Sequence, residues 1–289
     1  MYQATFRRRI DAFHWSSAVA QLRRLTVAYI DLDDQRIEYF LTDGSSTTKS
    51  TIVFLHEGLG SVALWKDFPR NVALATGCGT LVYSRRGYGF STSLSLPREP
   101  DFMHAEALNV LPKLLDALQI VDPILFGQSD GASIALINAG NATRRLRGLI
   151  VMAPHVMVEE ICIDSIGAVR RIYDCSDMRE KLGRYHADPE GAFRGWCNIW
   201  LDPRFRAWNI EEYLPTITCP VLAIQGFDDE YGTMEQLDRI AQRVPSAEIL
   251  KLQSCGHSPH RDQPDAVISA ITRYINCVRN LPLPSLESK

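Results

Sequence analysis

Pro123-Ile124-Leu125-Phe126-Gly127-Gln128-Ser129-Asp130-Gly131-Ala132-Ser133-Ile134-Ala135-Leu136 reads as a short apolar strand, a sharp turn and then a helix. The turn carries Gly127-x-Ser129-x-Gly131, the pattern of a nucleophile elbow. A serine at the tip of such a turn points its hydroxyl out of the sheet. The turn is tight, so the residues two before and two after the serine must be small. Gly127 and Gly131 meet that need. The helix that follows aims its first N–H groups and its positive dipole end at whatever lies over Ser129.

Working outward, further strand-like and helix-like stretches alternate around this one. Leu25 to Ile30 and Arg36 to Leu41 are rich in β-formers and flank the acidic, turn-like Asp31-Leu32-Asp33-Asp34, so a hairpin is expected to open the domain. Thr51-Ile52-Val53-Phe54-Leu55 is an apolar run of buried-strand type. It runs into His56-Glu57-Gly58-Leu59-Gly60-Ser61, a glycine-rich turn whose backbone can approach a ligand closely. A helix around Ala63 to Ala75, a strand at Leu81-Val82-Tyr83, a loop at Ser84 to Ser91 and a helix over Met103 to Leu118 follow. Beyond the elbow helix, Gly148 to Pro154 is another strand.

The alternation then breaks. From His155 to about Pro215 the pattern is helical and rich in aromatics. It resumes with Val221 to Gly226 (strand), Met234 to Val244 (helix), Glu248 to Leu252 (strand) and a last helix over Pro264 to Arg279. The fold class implied is α/β, a mostly parallel central sheet with helices on both faces. The domain reading is a core of residues 25–154 and 216–289, a helical cap inserted at 155–215 and a basic extension at 1–24. Arg7, Arg8, Arg9, Arg23 and Arg24 stand in that extension against the single acid Asp11, and a loosely docked N-terminal helix is expected there. The tail from Leu281 onward is expected to fray.

Totals narrow the function classes. The chain has 289 residues, 46% hydrophobic and 22% charged, with a net charge of -3. That balance does not suggest a nucleic-acid partner, and no apolar run is long enough to suggest a membrane span. Seven scattered cysteines without a C-x-x-C pair argue against a disulfide framework or a zinc site and favour a reducing, cytoplasmic setting. The expected partner is a small-molecule substrate, and the expected state is a monomer or homodimer.

A serine hydroxyl needs a base within hydrogen-bond reach, and that base needs an orienter. Gly226-Phe227-Asp228-Asp229-Glu230 follows one late strand, and Cys255-Gly256-His257-Ser258-Pro259-His260 follows the last. The order serine, acid, histidine is that of an α/β-hydrolase sheet. On these residues the sequence resembles the α/β-hydrolase superfamily in its serine-hydrolase branch, over about Leu25 to Val278 outside the helical block.

The resemblance implies an acyl-transfer hydrolase with no metal or organic cofactor. It points to Ser129 as nucleophile, to His257, which follows Gly256, as base, and to Asp229 as the acid. Asp228 is the close competitor and Glu230 a remote one. The implied oxyanion donors are the backbone N–H groups of Asp130 and of Gly58, or of Leu59 if the turn is set differently. His260 is expected to be a surface or supporting residue. Glu57 departs from the usual His-Gly pair. It is either solvated or ion-paired, or it faces the pocket and selects a cationic or hydrogen-bonding substrate. The Asp130 side chain is expected to cap the elbow helix. His155, Trp196, Trp200, Trp208, Phe193 and Phe205 are candidates to line the pocket, with at least half of them expected to tie the cap together instead.

The leading expectation is a carboxylic-ester hydrolase for a small to medium, apolar or aromatic substrate. Cleavage of carbon–carbon bonds in ring-opened aromatic diketones, of lactones or of thioesters would use the same residues. A non-enzymatic ligand receptor on the same fold is the alternative of another class.

Overall fold

A computed structural model gives the fold; it describes residues 27–44, 50–95 and 97–281. The expectations for the N-terminal extension, and for the tail beyond Leu281, lie outside these residues. In chain order the strands and α-helices are β1 (Ala28–Leu32), β2 (Gln35–Thr42), β3 (Thr51–Leu55), α1 (Phe68–Thr76), β4 (Gly79–Tyr83), α2 (Phe102–Ala105), α3 (Leu111–Ala117), β5 (Ile124–Gln128), α4 (Asp130–Asn141) and β6 (Gly148–Met152). Then come α5 (Glu160–Cys175), α6 (Met178–Leu182), α7 (Pro189–Trp200), β7 (Val221–Gly226), α8 (Glu235–Arg243), β8 (Glu248–Leu252), α9 (Pro259–Asp262) and α10 (Pro264–Arg279).

The strands form one eight-stranded sheet in the order β1-β2-β4-β3-β5-β6-β7-β8. β1 and β2 form the expected antiparallel hairpin, and β2 joins β4 antiparallel. Every other pair is parallel. Asp31 and Leu32 belong to β1 rather than to the turn, because they pair with Arg36 and Gln35. The central strands are buried on both faces, which explains why they read as unbroken apolar runs.

Successive side chains of these strands feed two different cores. Ile52, Phe54, Phe126 and Ile150 pack with Val72 of α1 and with Val267, Ile271 and Ile275 of α10. Val53, Leu55, Leu125 and Val151 pack on the opposite face with Leu111 and Leu114 of α3 and Ile134 of α4. The same second core continues into Phe193, Trp196 and Trp200 of α7, so the helical block between β6 and β7 is joined to the sheet by continuous apolar packing.

Two expected helices differ from their simple reading. The stretch from Ala63 is a short 3-10 turn, Ala63–Trp65, before α1 begins with Pro69 in its first turn. Between α2 and α3 the helix widens into a π-turn at Glu106–Val110, just ahead of Pro112. A proline inside a helix lacks the N–H for the normal bond and crowds the carbonyl four residues back, and a wider turn relieves both. Among the described residues, no helix is long and apolar enough to cross a membrane.

Candidate active site

The end of β5 turns into α4 at Ser129, whose φ of 52° and ψ of -121° lie far from ordinary strand or helix values. Its own N–H donates to the Met152 carbonyl at 3.0 Å, tying the turn to β6. The flanking glycines are required by contact. A Cβ at Gly127 would overlap the Gly131 carbonyl, and one at Gly131 would overlap the Leu55 carbonyl of β3. The strained serine is thus held by backbone that no larger residue could join.

His257 reaches Ser129 from the loop after β8. Its Nε2 lies 2.9 Å from Ser129 Oγ. On the other side of the ring, Nδ1 lies 2.8 Å from Asp229 Oδ1. The Tyr231 N–H donates to the same carboxylate oxygen at 2.9 Å, and Gln225 Nε2 reaches Asp229 Oδ2 at 3.3 Å. Burial by itself raises the Asp229 carboxyl, but the adjacent His257 ring and these hydrogen bonds outweigh it and hold the carboxyl below its ordinary value. Asp228 is exposed, and its N–H is bonded to the Cys255 carbonyl. Glu230 accepts from the His257 N–H through Oε2 at 3.1 Å, and Tyr231 packs its ring 4.7 Å from the imidazole.

Over Ser129 lies a cavity of about 180 Å³. Glu57, Gly58, Leu59, Ser129, Asp130, His155, Trp196, Trp200 and His257 all line it. Its remaining walls are largely apolar: Cys162, Ile166 and Val169 from α5, and Met178 and Leu182 from α6. Phe193, Phe205 and Trp208 do not line it. Phe193 stacks on Tyr173 at 3.6 Å, and Phe205 and Trp208 stack on each other behind Trp200.

Asp130 corrects one expectation. Its side chain makes no cap on α4; it is fully buried, and Oδ1 accepts from Trp200 Nε1 at 3.1 Å while Oδ2 has no partner among the described residues. Burial raises this carboxyl above its ordinary value, with Arg85 and Arg98 only partly opposing. His155 is buried beside the site, its ring 5.8 Å from that of His257, and burial lowers it to about 3, so it is neutral at ordinary pH. His260 is buried rather than at the surface; its ring packs against both Trp65 and Phe68.

The loop Ser84 to Ser91 holds the neighbouring turn in a way that its sequence pattern does not announce. Arg85 is buried and donates to the His56 carbonyl and, at 3.0 Å, to the Glu57 carbonyl. Its own N–H donates to His56 Nε2 at 3.1 Å, so the neutral imidazole donates from Nδ1 to the Glu57 carbonyl at 2.6 Å. One guanidinium and one imidazole therefore hold the Glu57-Gly58 backbone in place. His186 fastens the next residue: Nδ1 accepts from the Gly89 N–H, and Nε2 donates to the Leu59 carbonyl, each at 3.0 Å. The one signal in the sequence is an arginine two residues beyond a fully buried strand.

Comparison with known proteins agrees with this fold. Residues 52–270 match the alpha/beta hydrolase family. Esterase YbfF of Escherichia coli (strain K12) is 26% identical over 249 residues, covering 78% of this chain and 93% of that protein. The 2-hydroxy-6-oxo-6-phenylhexa-2,4-dienoate hydrolase of Comamonas testosteroni is 23% identical, covering 78% and 86%. Among solved structures, an alpha/beta hydrolase fold protein from Chitinophaga pinensis superposes with a TM-score of 0.70 at 17% identity, over 88% of this chain and 98% of that one.

Proposed function

Because the chain belongs to the alpha/beta hydrolase family and is a hydrolase, we propose that it cleaves carboxylic esters of small to medium, apolar or aromatic substrates through an acyl-enzyme on Ser129. The observation that carries the reading is the unbroken line Ser129 Oγ, His257 Nε2, His257 Nδ1, Asp229 Oδ1, with spacings of 2.9 and 2.8 Å, at the floor of an apolar cavity. His257 takes the Ser129 proton as Oγ adds to the ester carbonyl. Asp229 fixes the imidazole tautomer and stabilises the imidazolium. The oxyanion is received by the N–H groups of Gly58 and Asp130, the latter at the first position of α4, where no intrahelical acceptor is available. The proton then passes to the leaving alcohol, and water releases the acid by the same steps. In this reading residues 155–215 cap a core of 25–154 and 216–289, and Trp196 and Trp200 roof the acyl pocket.

A fluorophosphonate probe should label Ser129. Ser129→Ala should lower the hydrolysis of p-nitrophenyl esters by at least about 10³-fold. A label on another serine, or retained turnover in that variant, overturns the assignment. The similarity to the Comamonas testosteroni enzyme favours a second reading, in which the same residues hydrolyse a carbon–carbon bond. Faster decay of a ring-opened aromatic diketone than of any ester would select it. Tight binding of a ligand with no turnover would select the receptor alternative.

A further inference from the structure

The cavity over Ser129 is apolar in its walls but not in its charge. Three carboxylates line it, from Glu57, Asp130 and Glu230, against a single guanidinium, that of Arg261. Glu230 is engaged with the His257 N–H, and Arg261 donates to the Leu64 carbonyl at 3.2 Å. Glu57 is different: it is half-buried, it lines the cavity, and among the described residues it has no ion-pair or hydrogen-bond partner for its side chain. Its carboxylate folds over Gly60, into space that a Cβ there would fill. A carboxylate is costly to leave partly desolvated and unpaired.

A second and independent observation points the same way. Asp130 is fully buried, it lines the same cavity, and among the described residues its Oδ2 is without a partner. The two carboxylates are each backed by an indole. Trp196 packs against Gly58, next to Glu57, and Trp200 donates to Asp130 Oδ1. A carboxylate without an ion-pair partner, in a cavity walled by apolar and aromatic side chains, is the chemistry that receives an organic cation by charge attraction.

We propose that this pocket selects substrates carrying an alkylammonium group on the acyl side of the scissile bond, with Glu57 as the residue that sets the preference. The proposal rests on the ester-hydrolase reading, and it deepens that reading by naming a substrate class.

Two esters of matched shape test it: p-nitrophenyl 4-(trimethylammonio)butyrate and p-nitrophenyl 5,5-dimethylhexanoate, which differ in replacing nitrogen by carbon. The wild-type protein should favour the cation by about tenfold or more in kcat/KM. In Glu57→Gln the ratio of the two should fall to near unity. Because the ratio is taken within each protein, a change in overall activity cancels. A wild-type ratio at or below one, or a ratio preserved in Glu57→Gln, overturns the proposal. If neither ester is turned over, the ester-hydrolase reading fails, and calorimetric titration with butyltrimethylammonium decides the pocket alone. Binding to the wild type that weakens about tenfold in Glu57→Gln supports the cation site, and equal or absent binding overturns it.

Discussion

Asp229 and Asp228 are neighbours in sequence and opposite in circumstance. One carboxylate is buried against His257, and the other residue is exposed. Asp229→Asn should therefore lower kcat by about 10⁴-fold, because the ring would lose the acceptor that fixes its tautomer. Asp228→Asn should stay near wild-type kcat in the same ester assay. At this scale the serine and the histidine were legible because small residues mark their turns: Gly127 and Gly131 around Ser129, and Gly256 before His257. The choice between the two aspartates was not legible from the residues themselves. It depends on which side of one loop turns inward, and adjacent positions carry the same chemistry. The role of Asp130 was missed for a related reason. Its partner Trp200 lies 70 residues away, and local rules for helix starts know nothing of it.

At the scale of elements, α4 is set against β3 at a distance only glycine allows. Gly131→Ala would drive a methyl group into the Leu55 carbonyl, and the helix cannot back away without moving Ser129. The variant should lose about 1–3 kcal/mol in urea denaturation, with ester hydrolysis falling alongside. The parallel strands β3 to β8 could be read from sequence because each is a short apolar run between polar turns. The π-turn at Glu106–Val110 could not, since the apolar spacing of Met103 to Leu118 fits an ordinary helix almost as well. Nor could the work of the loop after β4, where Arg85 secures backbone carbonyls of a turn 28 and 29 residues earlier.

For the molecule as a whole, buried histidines set the response to acid. Burial lowers His155 to about 3 and His186 to about 4, against an ordinary 6.5. Between those values and 6.5 the unfolded chain takes up protons that the folded one refuses. Stability should therefore be full above about pH 6.5 and fall steadily as pH drops toward 4. His186→Asn keeps an acceptor near the Gly89 N–H and removes one such proton. It should flatten the pH dependence of urea-measured stability by up to about 1.4 kcal/mol per pH unit across that window. An unchanged slope would mean that His186 is not a source of the acid sensitivity.

The walls and the floor of the cavity come from different parts of the chain. α5, α6 and α7 supply most of the apolar wall, while Ser129, Asp229 and His257 stand on loops at the carboxyl ends of β5, β7 and β8. What the molecule can react with and what it will admit are therefore free to diverge separately over evolutionary time. A lineage could trade away residues 160–200 for a new appetite while inheriting the proposed nucleophile untouched.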